Sequence, residues 1–128
     1  MALTELIDTN IFLEILLSQR RAKDSKIFLN QNTSSLAISD FSLHSIGVIL
    51  YRQKKYSLFT SFWNDLENKI KLLSLPVAKY FTIEKISVKY ALDFDDSYQL
   101  SVAQEYGIIL ATLDKDFESV PAEQIHFL

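Results

Sequence analysis

Residues 107–117 read GIILATLDKDF, a short apolar run that leads into a group of charged residues. The run predicts a buried strand over residues 108–112, since it is brief, rich in isoleucine and preceded by a glycine. Carboxylates directly after a strand either close a surface turn or contribute to a metal site. The rest of the chain must decide between the two, through what it brings to the same place.

Short apolar runs alternate with helical patterns along the whole sequence. Strands are predicted over residues 3–8, 35–39, 71–75, 108–112 and 124–127. Helices are predicted over residues 10–18, 22–30, 41–53, 56–70, 78–91 and 95–106. Strands that are separated by helices indicate a parallel sheet with helices on both faces. The predicted fold class is therefore α/β, a three-layer α/β/α sandwich around a central parallel sheet.

The composition indicates one ordinary globular domain over residues 1–128, with 48% hydrophobic residues and 23% charged residues. The absence of cysteine excludes disulfides and thiolate metal ligands. A net charge of −3 argues against strong non-specific binding to duplex DNA. No signal peptide and no apolar run of membrane-spanning length is apparent, so the cytoplasm is the expected location.

Three aspartates are predicted to approach the same edge of the sheet. Asp8 ends the first strand and Asp114 follows the fourth, so both fall at carboxyl ends of parallel strands. Asp96 shares a helix face with Leu100 and Ala103, which places it at the rim of the core. Each aspartate alone would be read as a cap or a turn residue. Together they would repel one another, and Mg²⁺ or Mn²⁺ is the natural counter-charge for oxygen ligands.

Three stretches carry a resemblance to a known family: residues 7–12 (IDTNIF), 95–103 (DDSYQLSVA) and 110–117 (LATLDKDF). In order and spacing, along nearly the whole chain, they resemble the PIN domain, a metal-dependent nuclease fold that occurs in toxins of toxin–antitoxin systems and in RNA-processing proteins. The resemblance implies hydrolysis of RNA phosphodiesters with Mg²⁺ or Mn²⁺. It also implies a homodimer, an RNA substrate and, for a toxin, an antitoxin partner.

The same resemblance implies roles for individual residues. Asp8, Asp96 and Asp114 would be the catalytic acids and metal ligands, with Asp116 as an accessory ligand. Asn10 would support Asp8 by a hydrogen bond, and Thr112 would be a polar neighbour of the site. The serine that ends the second strand in the family is matched here by Ser39.

One position departs from the family pattern. The family has a glutamate six residues after that serine, and this place falls at Ser45. A serine can hold a water molecule but supplies no carboxylate. Asp40 or His44 would be the nearest substitutes, although a histidine beside an apolar helix face is more often packed or solvated than metal-bound. Loss of one of four charges lowers the expected affinity for a cation.

Two alternatives to an active nuclease follow. The first is a catalytically weak or inactive PIN-like module that binds RNA or protein. The second is a receiver-like phosphoacceptor domain, which also uses aspartates at strand ends. It lacks support here because no acidic pair follows the first strand and no suitable lysine follows the last.

Two surface features complete the sequence-based expectations. RNA-binding positions are predicted in two basic groups, which would equally suit solvated helix ends: Arg20, Arg21 and Lys23, and Arg52, Lys54 and Lys55. An aromatic stripe with helical spacing is predicted to lie in the core rather than in an interface: Phe59, Phe62, Trp63 and Leu66.

Replacement of Ser45 by glutamate tests the placement of the missing carboxylate. If the site lacks only this ligand, the variant should cleave single-stranded RNA faster than the wild type in the presence of Mn²⁺, because a fourth carboxylate would strengthen metal binding. The initial rate of cleavage is the measurement. Equal rates would mean that the glutamate position lies elsewhere or that the site is broken at another residue.

Overall fold

A parallel sheet forms the centre of the computed structural model, which describes residues 2–31 and 33–128. Within these residues the strands are β1 (Glu5–Ile7), β2 (Leu36–Ser39), β3 (Lys71–Leu73), β4 (Ile109–Thr112) and β5 (Ile125–Phe127). The α-helices of the same residues are α1 (Thr9–Leu16), α2 (Ala22–Gln31), α3 (Asp40–Arg52), α4 (Tyr56–Leu66), α5 (Thr82–Tyr90) and α6 (Phe94–Glu105). None of the described helices is long and apolar enough to cross a membrane.

The strand order β3-β2-β1-β4-β5 places β1 at the centre of the sheet. From β1 the chain moves outward to β2 and β3, then crosses back to β4 on the other side of β1. A reversal of this kind opens a crevice at the carboxyl ends of the two strands beside it. Because Ile7 pairs with Ala111, the next residues, Asp8 and Thr112, enter this crevice side by side. The backbone N–H of Asp8 also donates to the carbonyl oxygen of Ala111, at 2.9 Å.

The two faces of the sheet are covered by different helices. Leu6 and Leu110 point into a core formed with α5 and α6, whereas Ile7 and Ala111 point into a core formed with α1 to α4. This alternation follows from the two-residue period of a strand, with both faces buried as in other parallel sheets. The three-layer α/β/α architecture is confirmed. The aromatic stripe on α4 packs against the second core, also as predicted.

The turn after β4 is anchored by an aromatic side chain. Residues Lys115–Ser119 form a 3-10 turn, and its Phe117 is fully buried among the residues that pack under α5 and α6. Asp114 precedes this turn and Asp116 lies within it, so the position of Phe117 fixes both carboxylates at the mouth of the crevice. The buried side chain of Phe117 thus holds the charged residues that follow β4 at one edge of the site.

Several predicted boundaries shift. The helix expected over residues 78–91 is a 3-10 turn, Val77–Lys79, followed by α5. The helix expected over residues 56–70 ends at Leu66, where the chain turns and brings Ile70 into the core. The strand expected over residues 71–75 ends at Leu73, because the N–H of Leu75 donates to the hydroxyl of Tyr98 instead of continuing the sheet.

Candidate metal centre

Three aspartates converge at the crevice. One carboxylate oxygen of Asp96, in the first turn of α6, lies within 4.8 Å of one each from Asp114 and Asp116, in the segment after β4. Asp96 and Asp114 are half-buried and Asp116 is exposed. The structure therefore brings together two of the expected principal ligands, and it gives the expected accessory residue an equal place beside them.

Local hydrogen bonds orient the two acids after β4. The Asp114 carboxylate accepts from the N–H of Asp116, at 2.9 Å, and so caps the 3-10 turn. The N–H of Asp114 donates to the hydroxyl of Thr112, also at 2.9 Å. Short aspartate side chains commonly make such bonds to the backbone of a turn. Closing a turn and contributing to a metal site are therefore compatible roles for the carboxylates that follow β4.

The first turn of α6 orients Asp96. Asp93 is the N-cap of the helix, and its carboxylate accepts from the N–H of Asp96 at 2.8 Å. Asp95 points to solvent, while Leu100 and Ala103 bury the helix face below Asp96. The first turn of α6 therefore has one half-buried acid, Asp96, beside a capping acid and a solvated acid.

Asp8 lies deeper than the other acids, with only 6% of its surface exposed, and it stands outside the group of three. Its Oδ1 accepts from the N–H of Thr9 at 2.9 Å and from Nε2 of Gln99 at 3.0 Å, and its Oδ2 accepts from the hydroxyl of Thr112 at 2.7 Å. Burial raises the pKa of Asp8, these three bonds partly oppose that rise, and the charge of Asp114 adds to it.

Gln99 is a component of the site that sequence reasoning missed. Its Oε1 accepts from the hydroxyl of Ser39 at 2.5 Å, and its Nε2 donates to the hydroxyl of Ser42 at 2.7 Å as well as to Asp8. Ser39 is the N-cap of α3, and Ser42 in turn bonds the hydroxyl of Thr9 at 2.8 Å. One buried amide thus connects α6, α3 and the end of β1.

Asn10 does not have the expected contact. Within the described residues its Oδ1 is buried without a hydrogen-bond partner, and no bond joins it to Asp8. The side chains that do support Asp8 belong to Gln99 and Thr112. The expected donor, Asn10, is close to Asp8 in sequence, whereas the side-chain donors in the structure lie on β4 and α6.

The α3 side of the crevice carries hydroxyls rather than charge. Ser45 is half-buried one turn after Ser42, so both serines occupy the same face of α3. Asp40 is exposed, and its Oδ1 accepts from the hydroxyl of Tyr98 at 2.6 Å. Neither Asp40 nor the exposed His44 belongs to the acidic group. Compensation for the missing glutamate by either residue therefore finds no support in this geometry.

The pKa of Asp96 is raised by its surroundings. Burial is the largest cause that raises its pKa, to about 7, followed by the charges of Asp93, Asp114, Asp8 and Asp116. A divalent cation would relieve this repulsion, and carboxylate oxygens are the ligands that Mg²⁺ and Mn²⁺ prefer. The donor set therefore fits such a cation, with Asp96, Asp114 and Asp116 as the residues that would hold it.

A model of the PIN domain family matches residues 6–123. The chain belongs to the PIN domain family. No curated protein matches its sequence. The expectation that the chain resembles this family is confirmed, and the receiver-like alternative is set aside.

Several solved structures are similar to this PIN domain. A toxin–antitoxin complex from Klebsiella pneumoniae has 22% identity and a TM-score of 0.78, over 96% of each chain. VapBC2 from Rickettsia felis, bound to a promoter DNA fragment, has 15% identity and a TM-score of 0.79, over 99% of this chain and 98% of the other. VapC20 from Mycobacterium tuberculosis, described as a Sarcin-Ricin loop cleaving toxin, has 14% identity and a TM-score of 0.77, over 92% and 95%. At these identities the likeness concerns the fold.

The two basic groups of this PIN domain lie outside the acidic group. Arg21 forms an ion pair with Asp24 at 3.0 Å, which neutralises one of the charges proposed for RNA. Arg52 ends α3, a helix of 13 residues that begins at the carboxyl edge of the sheet. At 1.5 Å per residue it lies ~20 Å along the helix from that edge. RNA binding by these groups stays a prediction.

The raised pKa of Asp96 predicts a pH dependence of stability in the metal-free protein. Between its ordinary value of 3.8 and about 7, the folded state retains a proton that the unfolded state has released. The free energy of unfolding should therefore fall as pH rises through this window. In urea titrations with EDTA, the loss from about pH 4 to about pH 8 should be smaller for Asp96→Asn than for the wild type.

Asp95→Asn is the matched control, because Asp95 is the exposed neighbour on the same helix. It should keep the wild-type dependence on pH. Parallel curves for the wild type and Asp96→Asn would contradict a raised pKa at Asp96.

Proposed function

We propose that this chain is a PIN-type endoribonuclease that depends on Mg²⁺ or Mn²⁺ and serves as the toxin of a toxin–antitoxin pair. The observation that carries the proposal is the convergence of Asp96, Asp114 and Asp116 above the buried Asp8, where the strand order reverses. The similarity to toxin–antitoxin proteins, one of them described as an RNA-cleaving toxin, supports the same class of activity.

Residues at different depths in the crevice would have different roles. Asp96, Asp114 and Asp116 would bind the cation, and the charge of Asp8 would add to its attraction from below. When bound, the cation supplies an activated water and neutralises charge that develops on the phosphate. Thr112 and Gln99 would hold Asp8 in place, and Asp96 would release its proton as the cation binds. The RNA strand would lie across the open side of the crevice, beside Asp116.

The first test is metal-dependent cleavage of single-stranded RNA. The purified protein should cleave in Mn²⁺ and stop when EDTA is added. Asp96→Asn and Asp114→Asn should each lower kcat by on the order of 100-fold or more, since a poorly positioned reactant loses this much. Asp8→Asn should also abolish cleavage. The rate of product formation from a labelled RNA is the measurement.

Asp95→Asn again provides the control, because it removes one exposed carboxylate from the same helix without touching the acidic group. It should retain wild-type activity. Cleavage that persists in EDTA, or full activity in Asp114→Asn, would refute the proposal.

The second candidate is a catalytically weak PIN-like module that works through RNA or protein binding. It is favoured by the neutral Ser45 at the place of a carboxylate, and by the occupation of both oxygens of Asp8 by protein donors. Calorimetry with Mn²⁺ separates the candidates. Tight stoichiometric binding would count against a degenerate site, whereas absence of binding together with absence of cleavage would favour the module.

An antitoxin would have a suitable place to bind. Helices α1, α2 and α4 border a groove whose lining is largely apolar and includes Ile15, Leu16, Leu29 and Leu58. An amphipathic helix lays its apolar face into a groove of this kind. The similarity to structures of toxin–antitoxin complexes favours an antitoxin segment as the occupant. A short reading frame just upstream of this one would support the pairing.

A homodimer is proposed through a different face. Four large apolar side chains around α5 and the start of α6 are mostly exposed: Val77 (86%), Phe81 (63%), Val88 (79%) and Phe94 (61%). Phe81 and Val88 share one face of α5, and Phe94 lines a hollow with Tyr80. Exposed apolar side chains that lie together commonly mark an interface. A second copy of the chain would bury this one.

Sedimentation equilibrium tests this dimer. The wild type should sediment as a dimer and Phe81→Asp as a monomer, because a buried carboxylate without a partner opposes association. Tyr56→Asp is the control, since Tyr56 is an exposed aromatic residue on α4, outside the proposed face. A monomeric wild type at high protein concentration would exclude the dimer.

A further inference from the structure

Gln99 is a fully engaged polar side chain in the interior. It is 1% exposed, its oxygen accepts one hydrogen bond, and its two amide hydrogens are matched by two acceptors, Asp8 and Ser42. Buried amides are tolerated only where such partners exist. The side chain is therefore fixed, and within the described residues Asp8 is the only charged group to which it is hydrogen-bonded.

The bonds to Asp8 limit what this carboxylate can offer to a cation. Each carboxylate oxygen has about two sites for acceptance. Oδ1 already accepts from Thr9 N–H and from Gln99, whereas Oδ2 accepts only from Thr112. Oδ1 is therefore saturated, and one site remains on Oδ2. A cation that sought Oδ1 would have to displace the Gln99 amide.

We propose that Gln99 is a positioning residue that withholds Oδ1 of Asp8 from the cation and stabilises the metal-free site. The inference rests on the proposed metal centre. The neutral amide supplies a donor to a buried carboxylate where the cation would otherwise supply positive charge. It does so at the expense of cation affinity, since one carboxylate oxygen is removed from the possible ligands. Asp96, Asp114 and Asp116 are then left as the principal ligands.

One substitution should lower the stability of the metal-free protein and raise its affinity for the cation. Gln99→Met keeps the length of the side chain and removes both donors. Its melting temperature in EDTA should fall, because Asp8 loses a donor. Its affinity for Mn²⁺, measured by calorimetry at about pH 8, should rise because Oδ1 becomes available. The expected change is on the order of tenfold, whereas loss of a contact behind a ligand usually lowers affinity by about this factor or more. In Gln99→Met/Asp8→Asn this gain should vanish, since asparagine has one neutral oxygen in place of the two that share the negative charge.

Other roles for Gln99 give different results. If Gln99 only supports the fold, the melting temperature falls and the affinity for Mn²⁺ stays the same. If Gln99 prepares Asp8 for the cation, the affinity falls. Either result overturns the proposal. Gln104→Met is the control, since Gln104 lies on the same helix and bonds Gln124 at the surface, so both measurements should match the wild type. Gln99→Leu, an apolar side chain with high helix propensity, repeats the experiment if the methionine variant does not fold.

Failure of this inference is distinguishable from failure of the proposed function. If the wild type binds Mn²⁺ and cleaves RNA but Gln99→Met binds no more tightly, only the inference is wrong. If Gln99→Met binds Mn²⁺ where the wild type neither binds nor cleaves, the inference stands and the chain is a weak module. If neither protein binds Mn²⁺, both proposals are wrong.

Discussion

The buried charge of Asp8 is the constraint on which the rest of the crevice depends. Desolvation of a carboxylate at this depth costs several kcal/mol. Each hydrogen bond to a charged group contributes about 1.5–3 kcal/mol, so three donors offset part of that penalty, and the pKa of Asp8 remains raised. They come from the first residue of α1, the last residue of β4 and the second turn of α6. Those three elements must therefore meet at one point.

The other acids of the crevice are more exposed to solvent than Asp8. Asp8 is buried, Asp96 and Asp114 are half-buried, and Asp116 is exposed. Each outer carboxylate meets more water, which lowers the energy of its ionised form, while the fixed charge beneath still acts on it. The pKa of Asp96 is raised to about 7 by burial first and by the neighbouring negative charges second. The outer group is where solvent, a cation and a phosphodiester could all gain access.

Much of this arrangement could be predicted from sequence, for physical reasons. Short apolar runs predicted the strands. The rule that parallel strands end at one edge of the sheet then placed Asp8 and Asp114 at the same edge. The helical period placed Asp96. Gln99 could not be found in this way, because its partners lie 57, 60 and 91 residues away and its own segment shows no distinct polar face. The supporting role of Asn10 was implied by the family resemblance, and a position near Asp8 in sequence does not determine where a side chain points. Helix ends shifted where tertiary bonds, such as that of Tyr98 to Leu75, replaced local ones.

The serines of α3 and the amide of Gln99 form a neutral hydrogen-bonded network at the edge that holds the four acids. The ion pairs of the described residues, Arg21 with Asp24 and Glu5 with His126, do not involve these acids. A further carboxylate at Ser45 would add negative charge to α3, one turn after Ser42. Neutral donors lower the repulsion without introducing charge, and hydroxyls rotate to suit either partner. The same neutrality leaves fewer ligand oxygens for a metal. Stability of the metal-free fold and affinity for the cation would therefore be opposed in this site, and the donors around Asp8 would set the balance between them.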